Sequence, residues 1–234
     1  QDNEIGMSTD DFAEHRNELG KKPFVYNGKT IVGFASNSFR NFRGEGEKQF
    51  LVDVMSASLG PSWDDFIECV NGGSIFAIIT ARGHNPMILK QAVYKLIKNN
   101  VSGLDQEKLV ESLKKYRDFT GEDIKDDNTM IKEYLDMCRF HPVSFGTGSE
   151  ANPEEGKINA LREFITYCKE LANKVGGKVL FKNDVSNNFV VPSIGYSDDD
   201  ERNVEKVKEF LNKEFGLEHP VTTYLTKSQT KTKY

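Results

Sequence analysis

The feature that most constrains this chain is an uninterrupted apolar run that ends in a polar turn and a helix start. Ser74-Ile75-Phe76-Ala77-Ile78-Ile79 passes directly into Thr80-Ala81-Arg82-Gly83-His84-Asn85-Pro86. A strand that is apolar at every position is one buried on both faces, as in a parallel sheet layered with helices. Asn85 suits a helix N-cap and Pro86 the first helical position, where a missing N–H costs nothing. Ile88, Leu89, Ala92, Val93 and Leu96 then recur at the spacing of an amphipathic helix. Strand, turn and helix make half of a βαβ unit, so the expected class is α/β.

The remaining segments are read around that unit. Phe24-Val25-Tyr26 and Thr30-Ile31-Val32 flank Asn27-Gly28, the strongest short hairpin signal, since both turn positions must take positive φ. Ser8 and Thr9 precede a short helix candidate over 10–16. Residues 50–57 fit either a helix turn or a strand. Trp63, Phe66, Ile67 and Val70 predict a helix stopped by Asn71-Gly72-Gly73. Residues 100–138 are more charged and helical in pattern, and read as an insertion. A short strand is expected over 140–146 and a long helix from near Gly156. Further strands are expected over Lys178-Val179-Leu180-Phe181 and from Ser193 to Tyr196, then a last helix over 203–213. Residues 226–234, rich in Lys and Thr, read as a polar tail.

Composition narrows the function classes. With 234 residues the default is one domain carrying an insertion. No apolar run approaches the ~20 residues of a membrane span, and the polar start shows no signal peptide. A net charge of −5 gives no basic excess to mark a dedicated nucleic-acid binder, though nucleic acid as a substrate stays open. Cys69, Cys138 and Cys168 are odd in number and share no C-x-x-C spacing. They read as reduced thiols in a cytoplasmic setting, not as a disulfide framework or a zinc site.

Three features at expected strand ends or helix starts carry chemistry. Ligands in open α/β sheets bind outside the carboxyl ends of the strands, so the shared location matters. Thr80, with Ala81 and Arg82, offers a hydroxyl and free backbone N–H groups suited to a phosphate oxygen; the plain alternative is a turn cap and a solvated arginine. Lys157, near a helix start, opposes the helix dipole and is either a solvated side chain or a point charge aimed at an anion. Asp198-Asp199-Asp200 places three acids side by side, which a hard cation such as Mg²⁺ relieves; the alternative is that they cap and complement the following helix. Four histidines lack ligand spacing, and His84 is a weaker substrate contact in the Thr80 turn.

Ile78-Ile79-Thr80-Ala81-Arg82-Gly83, then Lys157, then Gly195 to Val204 with its Ser-Asp-Asp-Asp turn, resemble in order the second, third and fourth motifs of the haloacid dehalogenase (HAD) superfamily. The likeness spans roughly residues 61–215 and is closest to bacteriophage-encoded HAD-like hydrolases. It implies a Rossmann-like parallel sheet flanked by helices, with the core over 61–99 and 139–216. It also implies a cap-like helical insertion over 100–138, an N-terminal extension over 1–60 and a C-terminal tail over 217–234. By the same resemblance Thr80 would bond the transferring phosphoryl group and Lys157 would neutralise it. Asp198 and Asp199 would hold Mg²⁺, with Asp200 behind them. The implied activity is a Mg²⁺-dependent phosphatase acting on a phosphorylated small molecule or nucleotide, in a host cytoplasm or a virion.

The family's opening motif, an apolar strand ending in D-x-D, is missing. Asp10-Asp11 and Asp123 to Asp127 lack the strand, and Phe50-Leu51-Val52-Asp53-Val54-Met55 carries Met where the second Asp belongs. In the resembling proteins that strand would fall before Gln1. The alternative expectation is a non-catalytic HAD-like protein that has lost its nucleophile and serves as a phage structural or particle-associated contact.

Overall fold

The computed structural model describes residues 4–7, 11, 12, 15, 18–35, 38, 39, 46–146, 152–183, 193–216, 221–227 and 230–234, with backbone alone over 175–183. The chain divides into two compact units, residues 1–40 and 41–234, so the N-terminal unit closes earlier than the boundary expected at 60.

In the first unit β1 (Phe24–Tyr26) pairs antiparallel with β2 (Lys29–Ile31). The turn is the expected one: Asn27 at φ 49° and Gly28 at φ 75° take the left-handed conformation that a two-residue hairpin needs. His15 stacks on Phe24 at 5.0 Å, and the Tyr26 hydroxyl donates to Asp11 at 2.6 Å. The helix expected over 10–16 lies largely outside the described residues.

The second unit holds seven α-helices among the described residues. They are α1 (Glu47–Asp53), α2 (Trp63–Asn71), α3 (Pro86–Lys98), α4 (Gln106–Thr120), α5 (Asp127–Met137), α6 (Pro153–Asn183) and α7 (Glu201–Phe215). Its strands are β3 (Ala77–Thr80), β4 (Arg139–Pro142), β5 (Ile194–Asp198), β6 (Val221–Lys227) and β7 (Thr230–Lys233). β3 pairs parallel with β4; β5 pairs parallel with β6, and β6 antiparallel with β7. The class is thus mixed α/β, but its sheet is two separate ladders among the described residues.

β3 stands between two hydrophobic clusters. Phe76 and Ile78 pack with Val70, Leu96, Leu109, Ile131 and Tyr134, while Ala77 and Ile79 pack with Leu161, Ile165, Tyr196 and Leu211. Both faces are covered, which is what its unbroken apolar run requires. α3 follows as expected, the Asn85 side chain accepting the Met87 N–H at 2.9 Å with Pro86 at its first position.

Three sequence expectations are corrected. Residues 100–138 are helical but are not set apart: Leu109, Val110 and Leu113 of α4 and Met130, Ile131, Tyr134 and Leu135 of α5 are buried in the first cluster. Lys178 to Phe181, read as a strand, belongs to α6, which runs 31 residues; a short apolar run cannot distinguish the two. The polar tail is structured, with β6 and β7 adding to β5 and Val221 and Thr223 buried. No described helix is long and apolar enough to cross a membrane.

Candidate functional site

The site is assembled where β3 and β5 end. β5 turns Ile194, Tyr196 and Asp198 inward and Gly195 and Ser197 outward, by the two-residue period of a strand. Asp198 is therefore delivered to the interior at the strand's carboxyl end, and its carboxylate meets four donors. Lys157 Nζ lies 2.6 Å from Oδ2 and the Tyr196 hydroxyl 2.8 Å from the same oxygen. Asn203 Nδ2 and the backbone N–H of Asp200 each donate to Oδ1 at 3.0 Å. The side chains of Asp198 and Lys157 are 6% and 12% exposed, so this is a buried ion pair.

Burial alone would push the Asp198 carboxyl up. The Lys157 ammonium and the Asn203 amide outweigh it and hold the carboxyl below its usual range. For Asp199 the balance is reversed: lost hydration first, then the adjacent Asp198 charge, raise its carboxyl above the usual range. Asp198 likewise helps hold the Tyr196 phenol protonated, after burial as the larger cause.

The three acids have separate tasks. Asp200 is the N-cap of α7, accepting the Arg202 N–H at 3.1 Å and the Arg202 guanidinium at 3.0 Å. Asp198 anchors Lys157. Asp199, the first residue after β5, is exposed as a residue, but its carboxyl is partly desolvated beside Asp198. No group of three His, Cys, Asp or Glu side chains among the described residues is placed to hold a metal ion. Asp199 supplies one carboxylate, the lower bound for a Mg²⁺ ion completed by waters and a substrate phosphate; Asp198 would have to give up a donor to join it.

Lys157 sits one turn inside α6, which starts at Pro153, three residues ahead of the expected Gly156. The Asn152 side chain accepts the Glu155 N–H at 3.3 Å and caps the helix. Gly156 is there for contact: a Cβ at this position would lie 2.8 Å from Val143 Cβ. Val143 in turn donates its N–H to the Thr80 carbonyl at 2.9 Å. The start of α6 thus abuts the end of β3 through Val143 and the end of β5 through Lys157. Both strands bring their carboxyl ends to one helix start, so Thr80, Lys157 and Asp198 belong to the same rim.

Thr80 Oγ1 accepts the Arg82 N–H at 3.3 Å, which leaves its own proton to donate. The Arg82 guanidinium lies over the Phe50 ring at 5.5 Å, and Phe50 stacks on His84 at 4.8 Å. Glu47 Oε1 accepts the Asn85 N–H at 3.1 Å and joins α1 to this turn. Ala81 is exposed at the mouth. His84 is fully buried and neither ring nitrogen has a hydrogen-bond partner. Burial, then the Arg82 charge, hold it neutral, below the usual histidine range.

Sequence reasoning named Thr80, Arg82, Lys157 and Asp198 but not the two side chains that finish the Asp198 shell. The signal for Tyr196 was its two-residue spacing from Asp198 on a strand. For Asn203 it was a polar residue one turn into the next helix, on the face that carries the buried Val204 and Val207. Comparison of the chain with family models, curated proteins and solved structures gives no match.

Proposed function

We propose that this rim is the phosphate-handling part of a Mg²⁺-dependent phosphohydrolase of the HAD-like kind, built on a Rossmann-like sheet and acting on a phosphorylated small molecule or nucleotide. The observation that carries the reading is the buried Lys157–Asp198 pair at the strand end beside Thr80. An ammonium has three N–H donors, and Asp198 takes one, so two remain for an incoming phosphoryl group. Asp198 holds the Lys157 ammonium in place; Thr80 donates its free proton to a second phosphoryl oxygen, and Arg82 adds positive charge at the same turn. These are preorganised charges of the type that stabilise phosphoryl transfer. Asp199 is the carboxylate that would hold Mg²⁺, which when bound supplies Lewis-acid neutralisation of the phosphate. In this reading the attacking carboxylate comes from outside these 234 residues.

Titration calorimetry with inorganic phosphate tests the binding half on this chain. Phosphate is expected to bind in the presence of MgCl₂ and to lose that binding in EDTA, in Asp199→Asn and in Thr80→Val. p-Nitrophenyl phosphate turnover that EDTA abolishes, once the attacking carboxylate is supplied, tests the chemical half. Phosphate binding indifferent to Mg²⁺ and to Asp199→Asn overturns the proposal. The satisfied state of Asp198 favours one second reading, a non-catalytic contact protein in a phage particle, which predicts neither phosphate binding nor turnover.

A further inference from the structure

The Thr80–Pro86 turn carries one group that the phosphate reading leaves unused. His84 is fully buried, and neither ring nitrogen meets a hydrogen-bond partner. A neutral imidazole holds one N–H donor and one acceptor, and buried polar atoms are ordinarily satisfied. The ring that covers it belongs to α1: Phe50 stacks on His84 at 4.8 Å, with 27° between the planes. The Arg82 guanidinium lies over the same Phe50 ring at 5.5 Å, and Glu47 Oε1 accepts the Asn85 N–H at 3.1 Å. α1 is thus tied to the turn at Arg82, His84 and Asn85.

Little else holds α1. It is seven residues long, none of them is buried, and no side chain caps its N-terminus. A helix of two turns is marginal in water, so α1 forms because it is docked. Val54 and Met55, just beyond it, rest on the first hydrophobic cluster. Residues 56–60 that follow are exposed and lie outside any helix or strand. Such a segment belongs to the low-stability end of a fold and can open while the core stays closed.

We propose that α1 is an autoinhibitory strap, which seats the Glu47 carboxylate on the backbone of the phosphate-handling turn and is latched there by the Phe50 ring over buried His84. The proposal rests on the phosphate reading of that turn. Glu47 is an anion bonded to a backbone N–H beside Arg82, so a phosphoryl group approaching Thr80 meets a negative charge already in place. Protons operate the latch. An imidazolium carries two N–H donors and a charge, and the docked ring has no acceptor for either. From its own turn the Arg82 guanidinium opposes that charge, and from α1 the Glu47 carboxylate favours it; no other described charge bears on the ring. Burial and Arg82 outweigh Glu47, so the docked ring stays neutral below the usual histidine range. Released from α1, the ring is hydrated and takes up a proton near pH 6.5, roughly the unperturbed value. The open state therefore binds the proton better, and the docked state loses ground as pH falls through that value.

Hydrogen exchange on this chain reads the latch, and titration calorimetry with inorganic phosphate reads the inhibition. The Asn85 amide is bonded to Glu47, and the Val54 amide to Phe50 O at 3.0 Å. Both should be less protected than Leu96 and Ile97 of α3 at every pH, because the strap opens locally. Corrected for intrinsic rate, their protection should fall by up to about tenfold from pH 7.5 to 5.5, and His84→Leu should abolish that fall. At pH 7.5 with MgCl₂, Glu47→Ala and Phe50→Ala should each bind phosphate about threefold or more tighter than wild type, since a closed fraction no longer dilutes the competent one. Protection at Asn85 and Val54 equal to that at Leu96 and Ile97 overturns the latch, as does a fall that survives in His84→Leu. Phosphate bound equally by variants and wild type overturns the inhibition. Weaker binding by Phe50→Ala overturns it too, and makes Phe50 a support for Arg82. Phosphate bound by none of the three proteins defeats the phosphate reading and the inhibition together, while the exchange data still decide whether His84 latches α1.

Discussion

Replacing Lys157 by methionine isolates the electrostatic heart of the site. Methionine keeps most of the apolar stem and removes the charge, leaving Asp198 buried with three donors, the Tyr196 hydroxyl, the Asn203 amide and the Asp200 N–H. At 2.6 Å the pair attracts by ~6 kcal/mol at an effective dielectric of about 20. Desolvation of both ions offsets part of that. Breaking a buried pair from one side costs about 3–5 kcal/mol, and the three surviving donors place this case near the lower figure. Urea unfolding at pH 7 should therefore show Lys157→Met less stable by ~3 kcal/mol. Asp198→Asn made on top of it should recover part of the loss, since the stranded charge is gone. The pH dependence carries a sign. The Asp198 carboxyl is depressed in the folded state, so the stability from the pair is complete above the unfolded carboxylate value of about 3.9 and is lost as pH falls through the lower folded value. In Lys157→Met the buried Asp198 titrates higher, so the gap between variant and wild type should narrow on acidification. A loss below about 1 kcal/mol, or strictly additive single and double variants, would refute the reasoning.

Two further outcomes test neighbouring parts of the rim. Gly156→Ala brings a methyl within 2.8 Å of Val143 Cβ, so a change that ordinarily favours a helix by about 1 kcal/mol should instead destabilise by ~1–2 kcal/mol; thermal melts should show the Gly156→Ala penalty vanishing in a Val143→Gly background, which has no Cβ to clash, and a stabilised Gly156→Ala would sink the contact argument. His84 and His141 are both held neutral by burial, their folded values below the unfolded value of about 6.5. Their contribution is present above that pH and declines below it, so stability should fall between pH 6.5 and 5 by up to ~1.4 kcal/mol per pH unit for each. His84→Leu should shallow that slope, and a flat profile in the wild type would contradict it.

What could be read beforehand follows from which interactions are local. The hairpin at Asn27-Gly28 and the strand–turn–helix around Asn85-Pro86 were legible because their backbone demands are written in adjacent residues. β6 and β7 were hidden by composition: lysine and threonine obscure a two-residue period that only Val221 and Thr223 mark from within. α4 and α5 looked peripheral because Lys108, Glu111, Lys114 and Lys115 dominate the count, although one side of α4 is fully buried. At the site, Lys157 and Asp198 were named from spacing and residue type, yet their partnership with Tyr196 and Asn203 depends on strand register and helix start, which are tertiary facts.

β3 gives this architecture an unusual dependence. Four residues serve as the common partition of two apolar compartments, Phe76 and Ile78 for one, Ala77 and Ile79 for the other. Neither compartment can melt privately, because loosening its own half of the partition withdraws support from the opposite half. Denaturation of the larger unit should accordingly be all-or-none, and a lesion at Ile78 should be felt by probes around Leu211 as sharply as by those around Tyr134.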